Sequence, residues 1–221
     1  KDCPESVRNE VISYNSSNIQ IGLIRNTVNL QEGQHGHESY EFLFPLSEMP
    51  FNKLEKQIIP AEKDKVFPFN PWQLHGAGKI MPEIRFLSIM IEKTAIHDVS
   101  YDLFGKTDIV FENDNFSIDQ QIWVSIKNFM YEVQGNQTGQ DLALQSIGTQ
   151  LMINLTRMIK HNVSYKTEKR VKRVTNEITR VIEFMQDEYG KDITLKKLAE
   201  VANLSPYYLI RAFKSQTGKT P

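Results

Sequence analysis

The stretch HGHESYE, residues 35–41, sets His35, His37 and Glu41 within one short segment, and NPWQLHG, residues 70–76, adds His75. Three imidazoles and a carboxylate form a donor set for Zn, Fe, Mn or Ni. On a strand, side chains two apart share a face, so His35 and His37 would point the same way. The same groups also serve as hydrogen-bonding side chains in a core or on a pocket wall. That is the first expectation, contact with an organic ligand is the second, and no metal or other cofactor is assigned. The aromatic residues Phe42, Phe44, Phe69 and Trp72 are read first as core, then as contacts at a pocket mouth.

A second informative stretch lies at the other end: DITLKKLAEVANLSPYYLIRAFKSQTG, residues 192–218. Thr194 can cap a short helix over 195–202, with Leu195, Leu198 and Ala202 inward and the small Ala199 where a second helix crosses. Asn203 suits a turn that needs positive φ, and Leu204 can plug that turn. Ser205 is an N-cap and Pro206 a first helical residue. On the second helix Leu209, Ala212 and Phe213 share one face. Tyr207, Arg211 and Lys214 lie opposite, with Ile210 on the flank. This pattern predicts a helix-turn-helix whose second helix enters the DNA major groove. Arg211 is expected to read guanine or hold a phosphate, Lys214 to hold a phosphate, Tyr207 to meet phosphate or base, and Ile210 to touch a thymine methyl. The alternative is a solvated face on a small helical domain.

The rest of the chain must position these two motifs. Residues 18–93 read as short strands, NIQIGLIR, YEFLFPL, KQIIPA, KVFPF and EIRFLSIMIEK, separated by turn-forming clusters. They predict a sandwich or small barrel rather than a parallel sheet. From about residue 115 the apolar period becomes helical. Ile118, Ile122, Ile126, Phe129, Met130 and Val133 stripe one helix with Ser117 as its N-cap, and Leu144, Ile147, Leu151, Leu155 and Met158 stripe a second over about 140–160. This pair is expected to pack on the barrel, with a dimer seam as the alternative. HNVSYKTE, residues 161–168, reads as a linker. Val171, Val174, Ile178, Val181, Ile182 and Met185 stripe a helix that ends at Gly190. The basic run KTEKRVKR, residues 166–173, is expected as a solvated helix start, or else as a phosphate contact.

Charge follows the same division. Residues 1–160 carry 14 Lys and Arg against 20 Asp and Glu, a net of −6, whereas residues 161–221 carry 12 against 7, a net of +5. A basic end on an acidic body points to two domains with different partners, one of them a candidate polyanion. No apolar run reaches the ~18 residues of a membrane span, and the single cysteine, Cys3, allows no internal disulfide and fits a reducing compartment. No Gly-rich phosphate loop stands out, and no Ser-His-Asp or Cys-His arrangement.

The segment ITLKKLAEVANLSPYYLIRAFKSQTGKTP closely resembles the first helix-turn-helix of AraC-type transcriptional regulators. The matching positions are Leu198-Ala199, Ser205, Leu209, Arg211, Phe213-Lys214, Gly218 and Pro221. Asn203 departs from the Gly that many such turns carry. The resemblance implies a linking helix and a second reading unit beyond Pro221, and hence a truncated chain that binds DNA poorly. The segment around His35, His37 and Glu41 resembles the first motif of cupin barrels, with His75 as the second motif's histidine, and AraC-type regulators often carry such a sensor. The glycine that cupins place after the glutamate is absent; Glu48 stands seven residues beyond Glu41.

Together these readings predict an α+β chain: a cupin-like effector-sensing β-barrel over 1–115, a helical pair over 116–162 as a possible dimerisation segment, and a partial helix-turn-helix domain over 163–221. The expected function is a cytoplasmic, homodimeric, ligand-responsive transcription regulator and not an enzyme. Its partners would be DNA, through Tyr207, Ile210, Arg211 and Lys214, and a small effector, through His35, His37, Glu41, Trp72 and His75, with no membrane contact. The competing expectation is a metal-dependent cupin oxygenase or isomerase using His35, His37, Glu41 and His75.

Overall fold

A computed structural model describes residues 7–163, 170–190 and 192–221. It divides into two compact units, residues 1–96 with 110–162 and residues 97–109 with 163–221. The helical pair expected over 116–162 therefore groups with the strands. Residues 97–109, expected with the barrel, group with the C-terminal helices. The run 166–173 and most of the linker 161–168 fall largely outside the described residues.

Among the described residues the first unit has twelve strands and two long helices. In chain order the strands are β1 (Val11–Asn15), β2 (Ile19–Ile24), β3 (Val28–Leu30), β4 (Gly33–His35), β5 (Tyr40–Pro45) and β6 (Asn52–Leu54). They continue as β7 (Gln57–Ile58), β8 (Lys65–Phe69), β9 (His75–Ala77), β10 (Met81–Ile84), β11 (Phe86–Ile91) and β12 (Phe116–Ser117). The larger sheet runs β1-β2-β11-β5-β8-β12, a smaller one runs β4-β9-β6-β7, and β10 pairs with β3. Every pairing is antiparallel. Among the described residues the sheets are not closed into one continuous hydrogen-bonded ring, so the barrel is open rather than sealed.

Leu43, Phe67, Phe69, Ala77, Met81 and Ile84 pack together in the barrel core. Strand β5 is buried on both faces along its whole length, which is why YEFLFP reads as a continuous apolar run rather than an alternation. Helices α2 (Gln120–Gly135) and α3 (Gln140–Met158) cover the outer face of the large sheet. There Phe44 meets Trp123 at 5.6 Å between ring centres. A side chain on Gly148 would lie 2.8 Å from Ile19, so glycine lets α3 approach β2 closely. The cap of α2 is Asp119, whose carboxylate accepts from the Gln121 amide, rather than Ser117, which ends β12.

The second unit is helical. It contains most of α1 (Lys93–Phe104), together with α4 (Arg170–Asp187), α5 (Leu195–Ala202) and α6 (Pro206–Thr217). Ile178, Val181, Leu198, Ala199, Ala202, Leu209, Ala212 and Phe213 form its core, and Tyr101 of α1 and Tyr208 of α6 complete it. Burying a side chain of this size contributes about 1.5–3 kcal/mol, so α1 is part of this unit's stability. Among the described residues no helix is long and apolar enough to cross a membrane.

Candidate functional sites: a barrel cluster and a nucleic-acid interface

Local chemistry fixes the caps and turn of the C-terminal motif as expected, whereas Leu195, expected inward, is exposed. Thr194 caps α5 by accepting from the Lys197 amide. Asn203 then adopts φ 53°, ψ 44°, the left-handed conformation its position demands. Ser205 caps α6 by accepting from the Tyr208 amide, and Pro206 opens the helix. Ala199 is buried where α5 meets α6, and Leu204 packs on the same core. Gly218 closes α6 at φ 76°.

The free face of α6 follows from this packing. Leu209, Ala212 and Phe213 are buried. Lys214 is exposed, Tyr207 is 53% exposed and the Arg211 side chain is 60% exposed. Ile210 is half-buried on the flank. The Arg211 guanidinium lies 5.8 Å from the Tyr207 ring centre, so the two side chains form one surface. An aromatic edge and two cations on a capped helix suit a polyanionic groove.

In the barrel, His35, His37, Glu41 and His75 converge, with one ligand atom from each within 4.8 Å of the others. His35 and His75 are direct cross-strand partners on β4 and β9. His37 lies past the end of β4, so strand alternation does not align it with His35. Its position is fixed where its carbonyl accepts the Trp72 amide at 2.7 Å. Glu41 on β5 gathers the group: its Oε2 lies 3.0 Å from His37 Nε2 and 2.9 Å from His75 Nε2. The other oxygen, Oε1, accepts from Ser88 Oγ at 2.5 Å. The far nitrogens are anchored too, His37 Nδ1 on the Ser39 carbonyl at 3.0 Å and His75 Nδ1 on the Gln73 carbonyl at 2.8 Å. The Phe69 ring stacks beneath His75 at 4.2 Å.

Each Nδ1 faces an acceptor and so carries a hydrogen. A neutral ring in that tautomer presents a lone pair at Nε2, and here Nε2 faces a carboxylate oxygen. The arrangement therefore calls for a proton or a cation between ring and carboxylate. Burial opposes ionisation of Glu41, but hydrogen bonds and charge from the two histidines outweigh it and hold its carboxyl well below the usual range. Burial likewise opposes protonation of His75, and the Glu41 carboxylate raises it despite that.

A cavity of about 940 Å³ opens beside the cluster. His35, Glu41 and His75 line it, with Gln20, Asn52 and Ser88 as further polar groups and Leu43, Met49, Phe69 and Phe86 as apolar ones. Trp72 does not line it and is 66% exposed at φ 66°. Ser88 was not legible as a site residue, because it reaches Glu41 only through the pairing of β11 with β5.

The two sites define a class: a cupin-like barrel with a polar-lined cavity, followed by a helix-turn-helix. The description "bacterial regulatory helix-turn-helix proteins, AraC family" matches residues 185–221, so the chain carries an AraC-family helix-turn-helix at that end. A curated relative, the uncharacterized HTH-type transcriptional regulator YbfI of Bacillus subtilis (strain 168), is 33% identical over 67 residues. That match spans 30% of this chain and 24% of the relative, about a quarter of its length. Among solved structures, the AraC-like transcriptional activator CuxR is 12% identical, at TM-score 0.48 over 98% of this chain and 80% of that one. An apo ToxT variant from Vibrio cholerae strain SCE256 is 11% identical, at TM-score 0.38 over 95% and 97%. A cupin family protein with a double-stranded β-helix fold from Methanocaldococcus jannaschii is 16% identical, at TM-score 0.30 over 42% and 89%.

Proposed function

We propose that the chain is a ligand-responsive transcription regulator of the cytoplasm, not an enzyme. It reads DNA through Tyr207, Ile210, Arg211 and Lys214 and holds a small effector in the barrel cavity. The observation that carries this reading is the capped α5–turn–α6 unit with Arg211 and Lys214 on its free face. The effector contacts are His35, Glu41 and His75, which line the cavity, with His37 fixing Glu41. Trp72 belongs at the outer edge of the site at most. Helices α2 and α3, which expose Val124, Tyr131 and Leu142, are the surface for a second copy of the chain.

An effector acts only by interacting differently with two states of the protein. A promoter-fragment gel shift with and without small molecules that raise the melting temperature tests the reading. Arg211→Ala should abolish site-specific shifting, and an unchanged shift would remove the assignment.

One observation favours a metal ion as part of the barrel site. Both histidines keep Nδ1 tied to carbonyls and aim Nε2 at one carboxylate, the outer hydrogen bonding that metal-ligating histidines use. The residues fit a divalent transition metal, with His35, His37, His75 and Glu41 as ligands. Equilibrium dialysis against zinc or manganese tests this; stoichiometric binding lost in His37→Ala supports it. Turnover of an organic substrate by the loaded protein would favour the enzyme reading instead.

A further inference from the structure

Helix α1 carries carboxylates onto the start of α6. Asp98 places both oxygens on the Ser205 hydroxyl, at 2.6 and 2.7 Å. Ser205 is the N-cap of α6, so this carboxylate sits at the positive end of the helix, although burial there weighs against its charge. One turn further along α1, Asp102 Oδ2 lies 3.9 Å from Arg211 Nη1. Between them Tyr101 enters the core of the unit, packing edge-on to Tyr208 at 4.6 Å and donating to Glu177 Oε2 at 2.5 Å. A buried anchor thus holds two carboxylates against the helix start and the exposed arginine that DNA phosphates would approach.

We propose that the segment His97–Phe104 is an autoinhibitory latch, whose carboxylates Asp98 and Asp102 stand in for DNA phosphate on α6, so that DNA binding requires the segment to leave. This rests on the reading of α6 as the DNA-reading helix. Release must draw Tyr101 out of the core, but the polar contacts that hold the segment on α6 are weak. The ion pair is solvent-exposed, with the Arg211 side chain 60% and the Asp102 side chain 37% accessible, and such pairs are weak and screened by salt. Burial opposes the charge on Asp98, more than its bond from Ser205 favours it, so the docked carboxylate is under strain at neutral pH. A phosphate approaching Arg211 and the start of α6 would be repelled by the carboxylates of the docked segment.

The test is a reversible lock in the 221-residue chain. Asp98→Cys and Ser205→Cys are combined with Cys3→Ser, oxidised, and titrated against a fluorescein-labelled mixed-sequence duplex of about 30 base pairs at about 50 mM salt. The latch predicts that the disulfide forms and that the oxidised protein binds at least ~10-fold more weakly than after reduction. Failure of the bond to form, or equal binding by both forms, overturns it. A second variant avoids the cap. Asp102→Ala should tighten binding by about two- to fivefold, beyond the effect of removing the exposed charge in Glu183→Gln. An effect no larger than that control also overturns the latch. Arg211→Ala in the unlocked chain tests the DNA-reading helix separately: its failure to weaken binding sinks that assignment, whereas the lock reports on the latch.

Discussion

Glu41→Gln keeps the shape of the barrel cluster and removes its charge. In the native chain the carboxylate accepts from Ser88 and lies 3.0 Å from His37 Nε2 and 2.9 Å from His75 Nε2, across which its charge holds a proton or a cation. A glutamine offers one oxygen in its place and turns an NH₂ group toward part of the set. Losing charge-assisted hydrogen bonds at a buried site costs about 1.5–3 kcal/mol. For a protein of this size each kcal/mol moves the melting temperature by roughly 2–4 °C, so the fall should be about 3–12 °C with a chelator present. The pH dependence gives a second signature. Glu41 has a lowered pKa, so its contribution is present above the ordinary glutamate value and is lost as pH falls through the folded value. His75 has a raised pKa, so its contribution is present below the ordinary histidine value and is lost as pH rises through the folded one. Native stability should therefore peak between the two, and Glu41→Gln should flatten both flanks. Thermal denaturation followed by circular dichroism from pH 4 to pH 9 is the assay. An unchanged melting temperature with an unchanged profile would refute the reasoning, because Glu41 would then not be holding the histidines.

Three further outcomes are expected. Gly76→Ala should destabilise the barrel and disorder the His35–His75 pair, because a side chain there would lie 2.2 Å from the Gly33 carbonyl oxygen; denaturant titration and the histidine NMR signals check this. Asn203→Val should lower the stability of the helical unit by about 1–2 kcal/mol, and Asn203→Gly should be tolerated, since φ 53° penalises a β-branched residue; chemical denaturation of both variants distinguishes them. Asp98 is pushed up to about 6 by burial, partly opposed by its bond from Ser205, with Asp102 raising it further and Arg211 lowering it. Its neutral form favours docking, so the docked segment should hold best below about pH 4 and loosen as pH rises through 6. Hydrogen exchange of the α1 amides from pH 5 to pH 7.5, corrected for the intrinsic rate, should show this in the native chain and not in Asp98→Asn.

The C-terminal site was legible because its determinants are local. Thr194, Asn203, Ser205 and Pro206 act on neighbours within a few residues, so their types state their conformations. The barrel cluster was legible only as a set of residue types. Its geometry depends on the β4–β9 register and on the Trp72 amide holding the His37 carbonyl, both contacts between segments far apart in sequence. Helix α1 was not foreseen. KTAIHDVSYDLF is short, contains β-branched residues and follows strand β11 after a single residue, so it lies inside a run that reads as strand-rich. Its buried partner surface comes from residues more than 70 positions later, such as Glu177, and no local period encodes that. EIRFLSIMIEK read as one strand, but Glu83 and Ile84 belong to β10, which pairs with β3 through a register shift and is separate from β11.

DNA reading by this chain depends most on α6 being the surface that meets the duplex. The direct measurement is the salt dependence of duplex binding by the native chain and by Arg211→Ala and Lys214→Ala. Each cation that contacts a phosphate should contribute about one unit to the slope of log affinity against log salt. Loss of about one unit in each variant, with weaker binding, is the predicted result. Identical slopes and affinities in all three proteins would contradict the assignment.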